Sequence, residues 1–183
     1  IMISLAFAIV LGHGLSLSLG FFYIFFLSAV TVGIGFLLHE LAHKVVAQHY
    51  GCFAEFRAFG QMLWISLIMS FFGFVIAAPG AVFIHGPVGT RRNGKISAAG
   101  PVTNLALALV FLGILVQFPV KGITAIAQYG FMINSWLALF NMIPLWNFDG
   151  IKVLRWNKPV HFTILGIAFL FVFGQGMMMQ GTI

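Results

Sequence analysis

Charge is what this chain lacks most. Of its 183 residues only 12 are charged, nine Lys/Arg and three Asp/Glu. That is 7% of the chain, where a soluble domain carries about 25%. So few charges cannot cover the surface of a water-soluble fold of this size, which excludes a soluble enzyme, a nucleic-acid binder and a disordered tail. Cysteine is nearly absent as well: Cys52 stands alone, so no intrachain disulfide can staple the fold. What fills the space is apolar, with AVILMFWYC at 61% and a mean hydropathy of +1.08. The net charge of +6 then reports which loops face the cytoplasm rather than an affinity for nucleic acid.

The few charges divide the chain into spans. Residues 1–39, 58–90, 96–120, 122–148 and 159–183 contain no Asp, Glu, Lys or Arg. A helix needs about 20 apolar residues to cross a bilayer, so the last three gaps each fit one crossing. Residues 1–39 hold parts of two, broken around Gly12-His13-Gly14 and Ser16-Leu17-Ser18, with the second running on to about His49. Residues 1–19 lack a basic leader and a cleavage signal and read as a retained span.

The stretch 58–90 reads differently. Residues 62–77 fit an apolar helix, but Pro79-Gly80 and Gly86-Pro87 break the chain soon after it. Residues 81–85 resemble a short strand, and Arg92-Asn93-Gly94-Lys95 contains a turn signal. The expected architecture is an all-α polytopic membrane protein forming a single domain over 1–183. It has five to six transmembrane helices and a short embedded irregular or β segment near residues 78–97. Such backbone survives at membrane depth only against protein or a wet cavity. Arg57, Arg91, Arg92, Lys95, Lys152, Arg155 and Lys158 are expected on the cytoplasmic side, and Lys121 on the other.

Two of the three acidic residues carry chemistry. His39-Glu40-Leu41-Ala42-His43 lies inside an apolar helix. Positions i and i+4 share a helix face, so both imidazoles can meet one metal ion. Glu40 is placed to take a proton from a water rather than to bind metal. An ionisable residue in a bilayer costs about 2.5 kcal/mol or more and reads as functional. Catalytic zinc takes three protein ligands, and Asp149 is the natural third, although alone it would also suit a helix cap. Pro144 and Gly150 break helix geometry around it. His13, His49, His85 and His161 lie near span ends and read as interfacial residues; Glu55 and Arg57 read as a solvated pair.

Three ordered segments resemble the site-2 protease family of intramembrane zinc metalloproteases. They are His39 to His43 (H-E-x-x-H), Gly100-Pro101-Val102-Thr103-Asn104 (G-P-x-x-N) and Asn141 to Gly150 (N-x-x-P-x-x-x-x-D-G). The resemblance implies that His39, His43 and Asp149 bind one Zn2+ per chain and that Glu40 is the general base. It also implies substrate-binding roles for Asn104 and Asn141. The implied partners are the bilayer and a transmembrane protein cut within or near its membrane helix. The implied location is a multi-pass position in the cell membrane, with the metal toward the cytoplasm. A transporter or proton pathway also buries His, Glu and Asp, but it would show inverted repeats, and none is visible. A non-catalytic metal-binding relative would have no use for Glu40.

Overall fold

The computed structural model describes the chain apart from residues 76–79, 87, 119, 146–147 and 180–183. In chain order the elements are α1 (Met2–Leu11), α2 (Leu19–Ser28), α3 (Ile34–His49), β1 (Phe53–Ala58), α4 (Gly60–Ser70) and β2 (Gly80–His85). Then come α5 (Thr90–Gln117), α6 (Lys121–Met142), α7 (Asp149–Trp156) and α8 (Lys158–Met179). A π-helical turn, Ala29–Gly33, joins α2 to α3 without a break.

Four helical segments among the described residues are long and apolar enough to cross a membrane: Leu19–His49, Thr90–Gln117, Gly122–Met142 and Lys158–Gln175. This is fewer than the five to six read from the gaps between charges. The difference lies in α1 and α4, of 10 and 11 residues. At 1.5 Å per residue they reach roughly half of a ~30 Å hydrocarbon core. They pack against each other. The expected break before α2 is present: His13 and Gly14 take positive φ angles of 55° and 131°. Ser18 then caps α2 by accepting from the Phe21 amide.

The strand expected at 81–85 is β2, and its partner β1 was not foreseen. They pair antiparallel, from Phe53 opposite His85 to Ala58 opposite Gly80, with α4 rather than a tight turn between them. The irregular segment expected to reach residue 97 ends earlier, because α5 begins at Thr90. Asn93-Gly94 therefore lies in the first turn of a helix, and the turn reading fails. Gly94 serves packing instead: any β-carbon there would run into Trp156 of α7. The helix expected over 62–77 is α4, but it ends at Ser70 and residues 71–73 form a turn; its last two residues, and the expected breaks at Pro79 and Pro87, lie outside the described residues.

Helix α5 is the organising element, lying against α3, α6 and α7, while α8 covers α6. Ala98, Leu105, Ala138, Leu139, Met142, Val153 and Ile164 belong to a buried apolar cluster that joins α5, α6, α7 and α8. That cluster fixes α5 against α7, while α3, which carries His39, Glu40 and His43, packs on another side of α5. Asp149 opens α7.

Candidate metal centre

The i, i+4 spacing places His39 and His43 on one face of α3, with their rings edge-to-face at 4.7 Å between centroids. Asp149 arrives from the far side of the sequence as the first residue of α7. Its approach is local chemistry. Ile143, preceding Pro144, is extended (φ −64°, ψ 125°) and ends α6. Gly150 then lies so close to the Met142 backbone that no side chain would fit, so the chain can fold α7 back against the end of α6.

The three candidate ligand atoms converge. His39 Nε2 and His43 Nε2 are 3.0 Å apart, and they stand 3.3 Å and 3.0 Å from Asp149 Oδ2. Two ligands about 2.0 Å from a tetrahedral zinc ion are separated by about 3.3 Å. A triangle with edges of 3.0 to 3.3 Å is therefore one face of such a tetrahedron. All three residues are buried. Burial alone would push the Asp149 carboxyl up, but the imidazoles beside it outweigh that and hold it well below the usual carboxylate range. Its other oxygen, Oδ1, faces Lys152 Nζ at 3.6 Å.

Each imidazole is turned by a partner on α5. His43 Nδ1 donates to the Ile96 carbonyl at 2.7 Å, and His39 Nδ1 donates to Asn104 Oδ1 at 2.5 Å. Both Nε2 atoms are thereby left with a lone pair for a metal. Gly100, between these two partners, gives the rings room, since a β-carbon there would strike both. Glu40 lies beside the triad. Its Oε2 is buried with no hydrogen-bond partner among the described residues. An uncommitted carboxylate oxygen beside three converging ligands suits a base better than a fourth ligand.

The structure thus gathers His39, Glu40, His43 and Asp149 in one place. Asn104, expected beside the substrate, is fully buried, and both ends of its amide are engaged by His39, Gly35 and Asn134. Asn141 stands near the end of α6, part-buried, donating to the Leu137 carbonyl at 2.9 Å. His161, read as interfacial, is 1% exposed, and its Nδ1 is buried with no hydrogen-bond partner among the described residues. Asn134 was missed entirely, although an asparagine inside an apolar span is itself a signal. Glu55 and Arg57 do form an ion pair, on β1.

No protein-family model and no solved structure matches the chain. It is similar to zinc metalloprotease MJ0611 of Methanocaldococcus jannaschii, 45% identical over 150 residues that cover 80% of this chain and 78% of that protein. It is also similar to zinc metalloprotease YwhC of Bacillus subtilis, 28% identical over 69% of this chain and 66% of that protein. Zinc metalloprotease Rip3 of Mycobacterium tuberculosis is 30% identical over 69% of this chain, which spans only 30% of Rip3. Each of these names records the activity as an assignment.

Proposed function

The chain belongs to a family of zinc metalloproteases, and on that premise we propose an intramembrane protease of the site-2 type. It hydrolyses peptide bonds within or near the transmembrane helices of membrane-protein substrates. One observation carries the reading: His39, Glu40 and His43 lie inside the 31-residue apolar segment Leu19–His49, long enough to cross a bilayer. A metalloprotease acting on soluble peptides has no need to keep its base and ligands there, where each polar group is costly.

His39, His43 and Asp149 would hold the zinc, which would polarise the scissile carbonyl and acidify the attacking water. The Ile96 carbonyl and Asn104 keep both imidazoles in the tautomer that presents Nε2. Glu40 takes the water proton on its free oxygen and delivers it to the leaving amine. Asn141, beside the end of α6, holds the substrate backbone. The protein is a multi-pass membrane protein with its metal toward the cytoplasmic side, where seven of the nine basic residues gather.

The test is fragment release from a helical membrane substrate by purified protein, measured beside zinc content. Glu40→Gln should bind about one zinc per chain and cleave essentially nothing. His43→Ala and Asp149→Ala should lose zinc and cleavage together. Cleavage of soluble unfolded peptides but never of a helical membrane substrate would overturn the intramembrane reading. Substrate movement without any shortened product would favour a transporter.

A further inference from the structure

Asn134 of α6 is fully buried and belongs to none of the three motifs, yet it ends a chain of hydrogen bonds that leads to His39. We propose that Asn134 is a positioning residue of the metal centre. Acting through Asn104, it decides which ring nitrogen of His39 carries the proton. The inference rests on the metal reading of His39, His43 and Asp149.

The direction of the chain is set by groups that can only accept. The Gly130 carbonyl takes the Asn134 amide, Nδ2 to O at 2.8 Å. Asn134 must therefore turn Oδ1 the other way, where it accepts from Asn104 Nδ2 at 2.9 Å. The same Asn104 Nδ2 donates to the Gly35 carbonyl at 3.2 Å. Two acceptors thus hold the amino end of Asn104, and its Oδ1 is left to face His39 Nδ1. An oxygen at that place requires Nδ1–H, and a neutral imidazole protonated there keeps its lone pair on Nε2. That nitrogen is the one 3.3 Å from Asp149 Oδ2.

Without Asn134, the amide of Asn104 keeps only the Gly35 carbonyl to oppose a flip. A flipped amide would offer NH2 to His39 and favour the tautomer that blocks the metal. Helix α3 is shaped for this contact: a β-carbon on Gly35 would lie 2.6 Å from Asn134 Oδ1. Gly35 stands one helical turn before His39, so a single turn supplies both the recess for the amide and the ligand. Polar side chains between membrane helices also act simply as glue, and the test separates that role from this one.

The first measurement is the His39 tautomer in metal-free wild-type protein, by 15N NMR of histidine-labelled material, with the signal assigned by its loss in His39→Gln. The expected state carries a proton on Nδ1, whether or not Nε2 is also protonated toward Asp149; a neutral ring protonated only at Nε2 overturns the proposal, whether or not any variant folds. The second is zinc affinity by chelator competition for Asn134→Leu, Asn104→Ala and the double variant. Asn134→Leu should weaken zinc about 10- to 100-fold and give His39 mixed tautomers. In the Asn104→Ala background the same change should have no further effect on zinc. An equal loss in both backgrounds means general helix packing and overturns the relay. A wild-type chain that binds no zinc would remove the metal reading instead, and the metal-free tautomer would still decide the relay.

Discussion

A β-carbon on Gly100 would lie 2.5 Å from His39 Cε1 and Nε2 and 2.5 Å from His43 Nε2, closer than carbon and nitrogen pack. The glycine of the G-P-x-x-N segment is therefore explained by the ligands it faces rather than by backbone freedom, since it sits within a regular helix. Gly100→Ala should cost the fold between nothing and about 2 kcal/mol. Alanine favours a helix interior by about 1 kcal/mol over glycine, against roughly 1–3 kcal/mol for the overpacking. Zinc affinity should fall at least about tenfold, because the rings must move. Chelator competition beside thermal unfolding checks this. If Gly100→Ala binds zinc as the unsubstituted chain does, the packing account of this residue is wrong. The Glu40→Gln outcome belongs to the same scale: the base is lost while all three ligands stay.

At the scale of elements, β2 packs against α3, the helix that carries Glu40. Val82 and Ile84 stand two apart on β2, so strand alternation turns both amides to the same edge. This edge can pair with an extended substrate, satisfying backbone groups freed when a substrate helix unwinds. Ile84→Pro should slow cleavage without lowering zinc content. Unchanged cleavage by a folded Ile84→Pro protein would remove β2 from substrate binding. The short helices α1 and α4 make the complementary point: each is apolar, neither is long enough to cross alone, and they pack together.

Across the whole molecule, the basic residues predict one orientation. In a Cys52→Ser background, Arg91→Cys and Arg155→Cys should react with an impermeant thiol reagent from the cytoplasmic side. Gly122→Cys, beside Lys121, should react only from the other. Labelling of positions 91 and 155 from opposite faces would sink the arrangement and, with it, the cytoplasmic placement of the metal.

Read alone, the residues determined which helices are long and apolar enough to cross a membrane and which side chains form the cluster that could hold a metal. Both rest on local rules: an apolar length of about 20 residues, and the i, i+4 pairing that stacks His39 over His43. Even Asp149 was legible, because Pro144 and Gly150 mark where its helix must break. Only the tertiary structure decided the rest. Asn104 looked like a substrate contact until folding brought it to His39, 65 residues away. Asn134 looked unremarkable until helix packing gave it Asn104 as a partner. β1 became a strand because β2 lies beside it, and Asn93-Gly94 lies within α5, where Gly94 leaves room for Trp156. A side chain's role in a buried site is set by the partner that satisfies its hydrogen bond, and here those partners stand as far as 69 residues away.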